Sequence, residues 1–169
     1  MKVLVAIDGP DQFHPAVQAL ASQQLPAGSE VRVVSVVYSG VSYSWETIDM
    51  NVYDVMEKRL REIGRVTVDK AAETLRADVR GPSRTVTSTV LSGSPPDAIL
   101  EEADAFGADW IFVGSHGHGR LERFMLGTES QGVGGRAKCS VAIARGPHAP
   151  TNDGQRGSDA AVKDVVRSP

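Results

Sequence analysis

Apolar runs of four to seven residues alternate along this chain with longer stretches in which apolar positions recur every three or four residues. Val3 to Ile7 is nearly continuous apolar sequence, the pattern of a strand covered on both faces, and Asp8-Gly9-Pro10-Asp11 breaks it. His14 to Leu25 carries Ala16, Val17, Leu20 and Leu25 at helical spacing, and Pro26-Ala27-Gly28 ends it. Val31 to Val37 is β-branched and predicts a second strand. Residues 39–50 predict a loop, with Tyr38, Tyr43 and Trp45 clustered along it. The longest helical signal runs from about Asn51 to Arg76, where Val52, Val55, Met56, Leu60, Ile63, Val66 and Leu75 alternate with charged residues. Asp78-Val79-Arg80-Gly81-Pro82 stops it.

A third strand is predicted over Thr85–Leu91, and a helix over Asp97–Phe106 with Pro95 and Pro96 at its start, where proline is tolerated. A fourth strand over Trp110–Val113, a helix from about Thr128 and a fifth strand over Val141–Ala144 complete the series. Strands alternating with helices imply right-handed crossovers and a parallel sheet. The expected fold is therefore a five-stranded, doubly wound α/β domain, Rossmann-like in layout. Ligands of such sheets bind beyond the carboxyl ends of the strands, near a switch in strand order. Asp8 and Gly114 both fall at predicted strand ends, so periodicity alone brings them towards one crevice.

The richest chemistry follows the fourth strand. Gly114, Gly117 and Gly127 are spaced by two and then nine residues, and Thr128 follows the last of them. Glycine lets backbone amides approach a ligand with no Cβ in the way. A hydroxyl opening a helix can cap it and present N–H groups to an anion. A lone pair of glycines would be no more than a tight turn; the third glycine, the hydroxyl and the flanking strands favour a phosphate cradle. It is neither a Walker A loop nor a dinucleotide-binding GxGxxG.

The spacing G-x2-G-x9-G-[S/T] resembles the ATP-binding signature of the universal stress protein family. Lys2-Val-Leu-Val-Ala-Ile-Asp8-Gly9 looks like that family's first strand and terminal aspartate, Ala108 to Gly114 resembles the strand before the signature, and Ala137 to Arg145 is similar to its closing strand. The likeness covers residues 1 to about 146. It implies an ATP crevice, with Mg²⁺ on the phosphates left open, lined by Asp8, Gly9 and Val36 on the adenosine side. Gly114, His116, Gly117, His118, Gly127, Thr128, Glu129 and Ser130 would line the phosphate side. In that scheme Asp8 contacts the adenosine, the Val36 backbone recognises adenine, and amides around Gly117 and Gly127 hold the phosphates. Thr128 and Ser130 add hydroxyls. The resemblance also implies a homodimer through the last strand, Val141–Ala144, whose apolar edge would benefit from pairing.

Each of these residues also has a plainer reading. Asp8 suits a turn, Val36 suits the core, and Arg120 and Arg123 suit a solvated helix. His116 and His118 form a His-x-His pair, but no carboxylate or cysteine stands near at ligand spacing, so no metal site is expected. Magnesium riding on the phosphates needs few protein ligands. Glu129 stands where the family has a small or aliphatic residue, and its charge opposes a triphosphate unless it points away or meets a cation. Pro10 replaces the serine often found after Asp-Gly. Gly132, Gly134 and Gly135 each cost roughly 0.5–1 kcal/mol relative to alanine inside a helix, which predicts a weak or distorted last helix.

Composition narrows the function classes. The 169 residues, 41% hydrophobic and 23% charged, suit one globular domain. A net charge of −3 argues against a nucleic-acid surface. No apolar run reaches membrane-spanning length, and the amino terminus enters strand pattern at once, with no signal segment. One cysteine fits a reducing compartment, so a cytoplasmic protein is expected. Residues 1–146 are read as the nucleotide-binding domain. Residues 147–169 are polar and breaker-rich and are read as a disordered tail, with a turn or two of helix left open over Ala160–Arg167. No catalytic residue is assigned: there is no P-loop lysine and no base with an evident orienting partner. Slow ATP hydrolysis through His116 or His118 stays open. The function read from the sequence is nucleotide-dependent regulation in a stress response. An interaction module that no longer binds nucleotide, and a hydrolase or nucleotidyl transferase, are the alternatives.

Overall fold

A computed structural model describes residues 1–8, 14–38, 50–77, 84–114, 128–145 and 165–166. Ten elements follow one another: β1 (Lys2–Ala6), α1 (Pro15–Ala21), β2 (Glu30–Val37), α2 (Met50–Ala77), β3 (Thr85–Ser92), α3 (Pro95–Phe106), β4 (Trp110–Gly114), α4 (Thr128–Gly134), β5 (Ser140–Ala144) and β6 (Val165–Val166). The sheet order is β3-β2-β1-β4-β5-β6. The first five strands are mutually parallel, as the alternating pattern predicts, and Val3 and Ala6 of β1 stand opposite Val31 and Val34 of β2 and opposite Trp110 and Val113 of β4.

Both faces of the sheet are covered. On one face Val3, Val5 and Val33 pack with Val17 and Leu20 of α1 and with Val68, Ala72 and Leu75 of α2. On the other, Leu4, Val34 and Ile111 pack with Ile99, Ala103 and Phe106 of α3 and with Val133 of α4. Alternate residues of one strand thus serve opposite cores, which is why β1, β4 and β5 read as nearly unbroken apolar runs. Gly107 caps α3 in the left-handed conformation, φ 69°, with its N–H on the carbonyls of Ala103 and Asp104.

Three local expectations are corrected. The first helix ends at Ala21 with Ser22 as its cap, four residues short of Leu25. Leu25 is nonetheless 6% exposed, so its apolarity reports burial and not helicity. The apolar spacing of α2 places Val55, Met56, Ile63 and Val66 on a core face, yet all four are exposed. The reason is the face each occupies: the buried positions Gly64, Thr67, Val68, Ala71, Ala72 and Leu75 form one stripe at i, i+3 and i+4 spacing, and the four exposed residues fall off it. Among the residues whose side chains are described, burial in α2 begins at Gly64. Gly64 itself lies close to the sheet, where an added Cβ would stand 3.3 Å from Val90 Cγ1.

Gly132 has a packing reason beyond the propensity cost expected of it. A Cβ there would lie 3.1 Å from Pro96 Cβ, so its absence lets α4 approach the first turn of α3. The third difference is at the carboxyl terminus, where Val165–Val166 forms a strand and not a helical turn. It pairs antiparallel with β5, Val141 opposite Val166 and Ala142 opposite Val165. Two β-branched residues favour the extended form, and the outer edge of β5 supplies unpaired backbone groups for them. The remainder of the 147–169 tail lies outside the described residues.

Candidate functional site

Strand order reverses direction between β1 and β4. From β1 the chain winds through α1 and α2 towards β2 and β3 on one face, then returns through α3 to β4 on the other. The carboxyl ends of β1 and β4 therefore flank the switch in strand order, the usual ligand position in open parallel sheets. Asp8 follows β1 and Gly114 ends β4, on adjacent strands whose last paired residues are Ala6 and Val113. On the other flank of β1, the Ile7 N–H bonds the Val34 carbonyl at 2.9 Å. Extending that parallel register brings Val36 level with Asp8. Val36 is partly buried against the core on the α3 face, so its plain packing role and a main-chain role coexist.

Helices that return a parallel sheet run antiparallel to its strands, so their amino ends lie at the carboxyl edge. Thr128 accordingly opens α4 on the same edge as Asp8 and Gly114, and Glu129 and Ser130 fall in its first turn. Of the sequence-predicted residues, the structure thus brings Asp8, Val36, Gly114 and the backbone of Thr128, Glu129 and Ser130 to one edge. Gly9, His116, Gly117, His118 and Gly127 lie outside the described residues, as do Tyr43, Trp45, Arg120 and Arg123.

Asp8 is not a lone carboxylate. His14 Nε2 lies 2.7 Å from Asp8 Oδ1, with the histidine side chain 5% exposed and the aspartate 42% exposed. His14 also caps α1, its Nδ1 accepting from the Ala16 N–H at 3.3 Å. Sequence reading gives this histidine no role beyond opening the first helical stretch. The available signal was a polar residue directly before Pro15 at a helix start, which is an N-cap position.

A second polar contact links the helices beside the crevice. Arg136 Nη1 donates to Asp97 Oδ1 at 2.7 Å, joining the end of α4 to the first turn of α3. That hydrogen bond, with a smaller one from Ser94, holds the Asp97 carboxyl below the usual carboxylate range. The linkage sign follows: a lowered folded-state value favours folding above the ordinary carboxylate range and is lost as pH falls through the lowered value. Both side chains are half exposed, so screening keeps the contribution small.

The opposite edge carries little chemistry. A cavity of about 100 Å³ at the amino ends of β4 and β5 is lined by Leu100, Ala103, Ile111, Lys138 and Cys139 among others. It is too small for a nucleotide, and burial pushes the Cys139 thiol up, away from thiolate reactivity. Among the described residues, no three His, Cys, Asp or Glu side chains gather as metal ligands, and no helix is long and apolar enough to cross a membrane.

Comparison with known proteins agrees with this layout. The family model for the universal stress protein family matches residues 1–145. A universal stress protein of Bacillus subtilis, YxiE, is 31% identical over 154 residues, covering 85% of this chain and 98% of the relative. A universal stress protein family member of Arabidopsis thaliana, solved with AMP bound, superposes with a TM-score of 0.61 at 16% identity, covering 86% of this chain and 91% of that one. The universal stress protein of Archaeoglobus fulgidus in complex with dAMP gives 0.56 at 21% identity, covering 85% and 97%.

Proposed function

Because this chain belongs to the universal stress protein family, we propose that it binds ATP across the β1–β4 crevice and acts as a nucleotide-dependent regulatory module of a cytoplasmic stress response. One observation carries the reading: Asp8, Gly114 and the start of α4 converge on the carboxyl edge at the switch in strand order. Adenosine lies towards Asp8, Gly9 and Val36. The triphosphate, with Mg²⁺, lies along the 114–130 segment, where glycine amides and the hydroxyls of Thr128 and Ser130 supply donors. The donor set suits the ligand, since a half-exposed carboxylate accepts from nucleoside N–H or O–H groups while amides donate to phosphate oxygens. Support for an adenine nucleotide comes from the AMP and dAMP held by the Arabidopsis and Archaeoglobus proteins.

Binding, not turnover, is the output. No P-loop lysine is present in the sequence, and phosphoryl transfer relies on placed cations and an oriented nucleophile. Nucleotide orders the glycine segment and thereby changes what that surface can bind. Amide hydrogen exchange over residues 114–136 is expected to slow on adding ATP·Mg²⁺; identical exchange with and without nucleotide rejects the regulatory part of the reading.

We also propose a homodimer through β5. Pairing along the whole of Val141–Ala144 requires β6 to leave Val141 and Ala142, which it covers within one chain. A chain ending at residue 146 is therefore expected to dimerise more tightly than the full chain in light scattering. A monomer in both cases at working concentration ends the dimer proposal.

A further inference from the structure

We propose that His14 is the positioning residue of the nucleoside end of this site: it fixes the Asp8 carboxylate by a hydrogen bond whose direction is set by the start of α1. The inference rests on the nucleotide reading above and adds a residue to it. Among the described residues, three groups meet the imidazole. Ala16 N–H approaches Nδ1 at 3.3 Å, Asp8 Oδ1 lies 2.7 Å from Nε2, and Asp8 N–H lies 3.4 Å from the same nitrogen. A neutral imidazole has one N–H and one bare nitrogen. With the proton on Nδ1, that N–H would face the Ala16 donor and the bare Nε2 would face a carboxylate lone pair. Both contacts would then be repulsive. With the proton on Nε2, both become hydrogen bonds, Nε2–H donating to Asp8 and Nδ1 accepting from Ala16. Of the two Asp8 groups at Nε2 the carboxylate is much the nearer, 2.7 Å against 3.4 Å, the length of a charge-assisted bond, so the carboxylate takes the Nε2 proton.

The rest of the geometry makes that bond rigid. His14 is 4% exposed, its backbone carbonyl accepts from the N–H groups of Val17 and Gln18, and Pro15 fixes the first helical residue after it. The ring cannot swing without uncapping α1. Asp8 is 42% exposed, whereas the buried His14 is tied to the start of α1, so the histidine orients the exposed carboxylate more than the reverse. A carboxylate restricted to one orientation before binding loses less rotamer freedom on meeting a ligand. His14 touches no ligand in this arrangement; it acts through Asp8.

Two substitutions separate the two nitrogens. His14→Asn places an amide oxygen where Nδ1 was and keeps the helix cap, asparagine being a preferred cap, but it reaches less far and loses the donor to Asp8. His14→Gln extends its amide nitrogen to the place of Nε2 and keeps that donor, at the cost of the cap. Isothermal titration of the full chain with ATP·Mg²⁺, adenosine and inorganic tripolyphosphate reads the outcome, with thermal melting alongside. Loss of a charge-assisted hydrogen bond predicts that His14→Asn weakens ATP and adenosine about tenfold or more, leaves tripolyphosphate unchanged and melts close to the native chain. His14→Gln melts lower and binds ATP within about threefold of the native chain. A purely structural histidine gives the opposite: affinity follows melting temperature, and His14→Gln is the weaker binder. Nitrogen-15 NMR of His14 adds a readout that needs no ligand, expected to find Nε2 protonated and Nδ1 bare at neutral pH; the other tautomer overturns the inference. Native binding matched by His14→Asn removes His14 alone, whereas absence of binding by the native chain removes the nucleotide reading and this role with it.

Discussion

Gly117→Val is expected to weaken ATP binding by about a hundredfold or more, equivalent to about 2.7 kcal/mol, while the fold melts as before. The argument is steric. If the amides around Gly117 hold the phosphates, valine puts a branched Cβ where phosphate oxygens must approach the backbone, and it narrows the dihedral freedom that glycine has. The loss should be selective. In the proposed layout adenosine contacts only the Asp8 side of the site, so its affinity should change little, and the ratio of ATP to adenosine affinity should collapse. Calorimetric titration of both ligands into native and variant chains reads this directly. Equal weakening of adenosine and ATP would mean that the substitution disturbs the whole sheet edge and that the phosphate cradle lies elsewhere. Unchanged ATP binding would dissociate the 114–128 spacing from phosphate altogether.

Leu4→Ala should produce the largest loss of stability among simple core truncations. Leu4 is fully buried in the central strand β1, within the cluster that joins Val34 and Ile111 to α3 and α4. Removing three heavy atoms there loses their transfer free energy and leaves a cavity that neighbouring strands, fixed by backbone pairing, cannot fill. The expected cost is about 3 kcal/mol, a large part of the roughly 5–15 kcal/mol available to a domain of this kind. Urea unfolding should show a lower midpoint at unchanged slope, and the melting temperature should fall by about 6–12 °C. A loss below about 1 kcal/mol would mean that the α3 face repacks freely and that the two-sided core is less tightly built than its burial implies.

Much of this organisation was legible in the order of residues because a doubly covered parallel sheet leaves a simple mark. Val3–Ile7 and Trp110–Val113 are apolar on both faces, and Val31–Val37 is interrupted only by Arg32 and Ser35, a pattern no surface strand would show. Pro95 and Pro96 read correctly as the first turn of α3, since a helix start tolerates the missing N–H. What escaped depends on residues far apart in space or on which of two helix faces meets the sheet. Val55, Met56, Ile63 and Val66 have helical spacing among themselves, but the buried stripe of α2 runs through Gly64, Val68, Ala71, Ala72 and Leu75 instead. β6 is two residues in a polar stretch, and its pairing is decided by the open edge of β5. Gly132 read as a weak point in a helix, yet it stands against Pro96.

The candidate site divides the same way. Asp8 and Gly114 were legible because strand ends are marked by the residues that stop an apolar run, and parallel topology brings those ends together. His14 was not, because its meaning lies in a 2.7 Å contact back to Asp8 that no periodicity records. The glycine spacing from Gly114 to Thr128 remains the strongest sequence argument for phosphate, and the sheet supplies the matching edge.

The central claim is that this edge holds ATP. Its most direct test is calorimetric titration of ATP·Mg²⁺ into the purified, nucleotide-stripped native chain. The account predicts one ligand per chain with a dissociation constant in the micromolar range. No heat of binding at any workable concentration would contradict it and leave the chain an interaction module of its family, with Glu129→Val the first variant in which to seek recovered binding.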